Sequence, residues 1–247
     1  IKSAGTKFYV YEIKDWKDNY NKHTASAAVK IIDTAFYIPQ LDRKRRIWMY
    51  LPKDYTIPNK HYPVIYLQDG QNIFDAYTSG YGEWGVDECL DTLIKKGKQP
   101  CIVVAVDNGP QRVNEYNPYT TERFGKGEGD LYVDFLTKTL KPFIDKHYRT
   151  LSSKENTIIA GSSLGGLIAY YAMLKYPDVY GKAGIFSPAF WVATPSINHL
   201  TDSVGNKVSG KIFFYMGEQE GGDDLKLMND IKENIASSFY AYATFRS

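Results

Sequence analysis

The stretch 156-NTIIAGSSLGGLIAYYAMLKYP-177 changes character twice within 22 residues. Residues 157–160 form a short apolar run, as a fully buried strand would. A cluster of small residues follows, Gly161-Ser162-Ser163-Leu164-Gly165. From Leu164 onward the apolar positions take helical spacing. Strand, sharp turn and helix with G-x-S-x-G at the turn is the nucleophile-elbow pattern. A serine on a strained turn projects its hydroxyl off the end of the sheet, and its flanks are glycine because a side chain would meet neighbouring backbone. The Leu164 N–H, first of the helix, then points at negative charge developing on a carbonyl oxygen attacked by Ser163. A serine that merely caps a helix would read the same in isolation. The apolar strand before it and the Gly165-Gly166 helix start favour the nucleophile.

Working outward, residues 63–67 (PVIYL) and 101–106 (CIVVAV) are two more short apolar runs, ended by Asp69-Gly70 and by Asp107-Asn108-Gly109. Residues 183–186, 211–216 and 239–245 read as further strands. Helical patterns fall at 85–96, 130–148, 164–175 and 223–235, and Pro142 predicts a kink or a break in the second. Residues 110–129 read as a polar loop. The first third is β-rich: residues 6–13, 26–38 and 46–51 alternate or carry β-branched and aromatic side chains. Apolar runs alternating with helices imply an α/β fold: a mostly parallel central sheet covered on both faces, with antiparallel N-terminal strands at one edge. No repeat, low-complexity tract or linker interrupts it, so residues 1–247 are expected to form one domain.

The bulk numbers exclude several functions. Thirty basic against 28 acidic residues leave a formal charge of +2, which gives no footprint for nucleic acid or an anionic membrane surface. The basic run Arg43-Lys44-Arg45-Arg46 is short and reads as a solvated turn and strand edge. No apolar run approaches the ~20 residues of a membrane-spanning helix. Cys89 and Cys101 are expected to be buried free thiols. No H-x-x-x-H or C-x-x-C spacing occurs, so no metal and no other cofactor is expected. The chain opens on Ile1 with no visible signal peptide, as a processed or trimmed chain would, so its compartment, secreted or periplasmic included, is not readable.

A second oxyanion donor is needed from the loop after an earlier strand. Asp69-Gly70-Gln71 occupies that place, with the Gln71 N–H as donor, although an ordinary turn would look the same. Taken in order, YLQDGQNIFD, GEWGVDECLD, IVVAVDNG, FLTKTLKPFIDKHYRT, AGSSLGGLIAYYA and GIFSPAFW resemble the esterase D-like family of α/β hydrolases known as "putative esterase". That family includes feruloyl, acetyl xylan and enterochelin esterases. The resemblance spans roughly residues 45–220 and implies an α/β-hydrolase fold and serine-dependent hydrolysis of carboxylic esters.

The resemblance also implies a triad in the chain order Ser, acid, His. The acid is expected just beyond residues 211–216, with Glu220 first and Asp223 and Asp224 behind it, since both aspartates also suit a helix start. The base is the difficulty. The family places its His after the last strand, where this sequence has only FYAYATFRS, so the expectation is a chain that stops short of its base. His147 reads as a surface residue, His61 precedes a strand and is expected at the wrong end of the sheet, and His199 precedes the acid. Trp84, Tyr119 and Trp191 are expected to wall the substrate site, suiting an acylated carbohydrate or an aromatic acyl ester. The alternative is a non-catalytic binding module that keeps the fold and cleft.

Overall fold

The computed structural model describes residues 22–204, 209–217, 220, 226 and 239–246. The strand expected over residues 6–13 and, apart from residue 226, the helix over 223–235 fall outside them. Strands β1 (Val29–Ile38), β2 (Arg43–Tyr50), β3 (Val64–Gln68), β4 (Ile102–Val106), β5 (Thr157–Ser162), β6 (Lys182–Phe186), β7 (Gly210–Gly217) and β8 (Phe239–Arg246) form one sheet. Its order is β1-β2-β4-β3-β5-β6-β7-β8. The β1–β2 and β2–β4 pairs are antiparallel and the rest parallel. This is the α/β-hydrolase arrangement, with β8 at the far edge.

The helices are α1 (Val86–Lys95), α2 (Arg112–Glu115), α3 (Gly129–Phe135), α4 (Lys141–His147), α5 (Leu164–Lys175) and α6 (Ser196–Val204). Both faces of the sheet are covered, and the strands show it residue by residue. Ile102, Val104 and Val106 of β4 join one core with α3 to α6, while Cys101, Val103 and Ala105 join a second core under α1. Period-2 alternation with apolar side chains on both faces explains why these strands read as unbroken apolar runs. Full burial of each such side chain is worth about 1.5–3 kcal/mol. Helix α5 is buried almost from end to end, so it lies as a central strut between the sheet and the outer helices.

Three expectations change, while the break expected near Pro142 is met: α3 and α4 are separate α-helices joined by a π turn, Leu136–Leu140, with Pro142 in the first turn of α4. The wider turn absorbs the backbone bond that proline cannot make. Helix α6 lies outside the expected elements; it buries Ile197 and Thr201 and packs the partly buried Leu200 and Val204 against the core. Cys101 is buried but Cys89 is exposed, because α1 turns Val86 and Leu90 inward and Cys89 outward.

The basic run is not a solvated edge. Arg45 is 8% exposed and paired with the fully buried Glu115 of α2. Arg43 bonds Glu115 at 2.8 Å and Glu128 at 2.6 Å, and Arg46 bonds Asp107 at 2.8 Å. These pairs fasten residues 107–128 to β2.

Parallel register sets the position of the site. Gln68 pairs with Val106, Leu67 with Ala160, and Ser162 with Phe186. Strands β3 to β6 therefore end level, and residues 69–71, 107–108 and 163 emerge side by side at their carboxyl ends.

Candidate active site

Ser163 follows β5 with φ 58° and ψ −125°. A non-glycine residue at such angles costs on the order of 1–3 kcal/mol and persists only where its surroundings dictate it. Here they do. The Ser163 carbonyl accepts the N–H groups of Gly166 (3.0 Å), Leu167 (3.1 Å) and Ala189 (3.1 Å), and its own N–H donates to the Phe186 carbonyl at 3.0 Å. Contact demands glycine at 161, where a Cβ would lie 2.4 Å from the Gly165 carbonyl oxygen, and leaves little room at 165, where one would lie 3.1 Å from Gln68 Cβ. Ser163 itself is exposed and lines a cleft of about 430 Å³ with Gln71, Trp84, Asn108 and Arg112.

The opposite lip is built from β3. Asp69 sits in the left-handed region, φ 58° and ψ 48°, which an Asp tolerates better than most residues. Its carboxylate receives Arg112 Nε at 2.7 Å and Nη2 at 2.8 Å, and the Asn108 side-chain amide. Burial works against the Arg112 charge, but its hydrogen bonds to Asp69 outweigh that and hold the guanidinium's pKa above its ordinary value. Beneath the turn, Tyr116 accepts the Asp69 N–H at 3.3 Å and Tyr132 donates to Gln68 Oε1 at 2.6 Å. The Asn108 N–H donates to Gln71 Oε1 at 3.1 Å and the Thr78 hydroxyl to the Gln71 carbonyl at 2.7 Å.

Among the described residues, neither the Gln71 N–H nor the Leu164 N–H makes a hydrogen bond. Two free backbone donors flank an exposed serine at the positive end of α5. That arrangement is suited to receiving an oxyanion.

Of the three expected wall residues, Trp84 reaches the cleft, edge-on to Phe186 with ring centroids 5.4 Å apart. The Trp84 N–H is held by the Asn72 carbonyl at 2.9 Å. Tyr119 and Trp191 do not line this cleft. Tyr119 packs edge-on to Tyr171 at 6.0 Å, and Trp191 rests on Phe124 at 5.4 Å with the Arg123 guanidinium over its ring. Arg112 and Asn108 were missed from sequence. The signal was present: Asn108 follows a buried strand in the same way as Asp69, so its loop had to emerge beside Gln71.

Glu220 is exposed and lies just past β7. Its Oε1 accepts the Gly217 N–H at 3.0 Å, a backbone amide and not an imidazole. Asp223 and Asp224 lie outside the described residues. The four histidines all lie within them, and each is occupied or turned elsewhere. The Nδ1 of His23 bonds Asp75 at 2.7 Å, that of His61 the Asn59 carbonyl at 3.1 Å, and that of His147 the Phe143 carbonyl at 2.7 Å. His199 is exposed on α6. None hydrogen-bonds Ser163 or lines the cleft.

Comparison with known proteins places the chain in a family. Residues 38–234 match the family described as "Putative esterase". The uncharacterized protein YbbA of Bacillus subtilis is 28% identical over 185 residues, covering 72% of this chain and 69% of that protein. The endo-1,4-beta-xylanase/feruloyl esterase of Xylanibacter ruminicola is 30% identical over 143 residues, covering 56% of this chain but only 19% of that protein. Among solved structures, the BES protein from Bacillus cereus superimposes with a TM-score of 0.73 at 18% identity, covering 92% of each chain. No helix among the described residues is long and apolar enough to cross a membrane.

Proposed function

The chain belongs to the putative esterase family, a carboxylic ester hydrolase scaffold, and from that premise we propose that its cleft takes small esters with an aromatic acyl group. In this reading Ser163 Oγ bonds to the ester carbonyl carbon as its proton passes to a base. The Leu164 and Gln71 N–H groups hold the oxyanion, the alcohol leaves with a proton, and water then releases the acid from the acyl-serine. Glu220 is the carboxylate assigned to the triad. The observation that carries the reading is the strained, exposed Ser163 facing two unbonded backbone donors.

Three points support an aromatic acyl group. The cleft volume of about 430 Å³ suits one ring and its linker. Trp84 gives that ring a face or edge to pack on. The Xylanibacter ruminicola relative is, by name, an esterase for a feruloyl ester. An acylated carbohydrate as the alcohol side is the finer form of the same proposal.

The reaction also needs a base that none of the four histidines supplies, so turnover by this chain is slow. That observation also favours the second reading, a binding module that retains the fold. Hydrolysis of 4-nitrophenyl and feruloyl esters separates the two when imidazole is added as an external base. The proposal expects slow turnover that rises with imidazole and is lost in Ser163→Ala. Turnover that ignores both imidazole and Ser163→Ala contradicts it.

A further inference from the structure

Behind the cleft wall three carboxylates converge without a cation beside them. One carboxylate oxygen each from Glu83, Asp87 and Glu88 lie within 4.8 Å of one another. Such a cluster on an exposed surface would mean little, but this one is rooted in the protein interior. Asp87 is completely buried. Its Oδ2 accepts the Ser26 N–H at 2.8 Å, while its Oδ1 is buried with no hydrogen-bond partner among the described residues. Glu83 repeats the arrangement: Oε2 accepts the Thr24 hydroxyl at 2.7 Å, and Oε1 is buried and unpartnered. The Ser26 Oγ is a third buried orphan oxygen.

Leaving a buried acceptor unmet costs on the order of 1–3 kcal/mol, more for a charged one. Three like charges in one place add to that cost, and no Lys or Arg pairs with any of them among the described residues. We propose that Glu83, Asp87 and Glu88 hold a hard divalent cation, with Ca²⁺ the best fit, and that Ser26 Oγ is the neighbouring oxygen available to it.

The donor set decides the class of ion. It is all oxygen, with no imidazole or thiolate, which suits Ca²⁺ or Mg²⁺ and not Zn²⁺. Ca²⁺ takes six to eight oxygens at about 2.3–2.6 Å, so oxygens across the ion stand about 5 Å apart. The observed spread fits that distance with the backbone as it stands. The exposed side, where Glu88 lies, leaves room for the waters that complete the shell. A cysteine- and histidine-based reading of the sequence is blind to a site of this kind.

The ion would join three segments. Glu83 belongs to the loop that carries Gly80, Tyr81 and Trp84 to the cleft, Asp87 and Glu88 open α1, and Thr24 and Ser26 precede β1. Its effect is to hold the cleft wall in place, whatever chemistry Ser163 performs.

The test uses the whole chain stripped with EDTA and then titrated with CaCl2, MgCl2, or NaCl at matched ionic strength. Thermal unfolding reports stability, and Tb³⁺ emission excited through tryptophan reports proximity to Trp84. The proposal expects a saturable rise in Tm with Ca²⁺, exceeding that from NaCl, and Tb³⁺ emission displaced by Ca²⁺. Asp87→Asn should abolish both. Because Asp87 is buried and its variant may not fold, Glu88→Gln at the exposed position is the second variant. It should fold and need at least roughly tenfold more Ca²⁺ for half-saturation, since ligand charge tunes affinity at such sites. A Tm that follows pH but not Ca²⁺ would mean that the carboxylates share a proton instead, and would overturn the proposal. So would an equal Ca²⁺ response in wild type and Glu88→Gln.

Discussion

Replacing Arg112 by leucine tests whether the lip of the cleft is held as described. Arg112 and Asp69 lie 43 residues apart in sequence and are largely enclosed, with 27% and 13% of their side chains exposed. Breaking a buried pair by removing one partner typically costs about 3–5 kcal/mol, because the other charge is left buried. Here partial exposure and the surviving Asn108 bond reduce that to roughly 2–3 kcal/mol. For a chain of this size each kcal/mol moves the melting temperature by about 2–4 °C, so Arg112→Leu should lower it by roughly 5–10 °C. Asp69→Asn keeps a residue tolerant of the left-handed conformation and removes the charge that Arg112→Leu strands. The double variant should therefore be more stable than the sum of the singles predicts, by about 1–2 kcal/mol of coupling. Urea and thermal unfolding followed by circular dichroism supply the four corners of the cycle. The turn from Asp69 to Gln71 also loosens in Arg112→Leu, so reaction of Ser163 with acylating reagents should slow in parallel. A single variant within about 0.5 kcal/mol of wild type, or strict additivity in the double, would refute the account of this lip.

Gly161→Ala places a Cβ 2.4 Å from the Gly165 carbonyl oxygen and 2.5 Å from its carbon; urea unfolding should show a loss of about 1–3 kcal/mol, together with lost reactivity at Ser163. Burial opposes ionisation of Asp134, but hydrogen bonds from Lys138, Lys175 and Tyr176 outweigh it and bring its carboxyl down to about 2. That depressed value adds stability above pH ~4 that is lost as pH falls toward ~2, and Asp134→Asn should flatten an acid titration of stability by on the order of 1 kcal/mol after solvent screening. Burial pushes the Cys101 thiol up to about 11 while Cys89 is exposed, so Ellman's reagent should modify one thiol in the native chain and the second only on unfolding.

Much of the fold was legible because its strands are buried on both faces, which turns residues 64–67, 101–106 and 157–160 into unbroken apolar runs. The elbow was legible for a different reason: Gly161 and Gly165 meet neighbouring atoms within the turn itself, and such local contacts leave a fixed spacing around Ser163. The ion pairs that place the site leave none. Arg45 and Glu115 are 70 residues apart, and nothing in the run 43–46 shows that its charges turn inward to anchor α2 and, through it, Arg112. The aromatic wall was only partly legible. Trp84, Tyr119 and Trp191 have similar local signatures, and only the tertiary fold puts the first in the cleft. The histidines could be sorted by position, since His61 precedes β3, at the end of the sheet away from Ser163, and His147 ends a helix. Helix α6 was legible in principle: Ile197, Leu200, Thr201 and Val204 recur at helical spacing and face the core.

The central claim is that Ser163 is a nucleophile presented in an ester-binding cleft. The most direct measurement is labelling with a fluorophosphonate, whose phosphorus Ser163 Oγ would attack with loss of fluoride, followed by mass spectrometry of the modified peptide. The account predicts one adduct per chain, mapped to Ser163, formed slowly for want of a base and faster with imidazole, and absent in Ser163→Ala. No adduct on the folded chain, or an adduct that persists in Ser163→Ala, would contradict it.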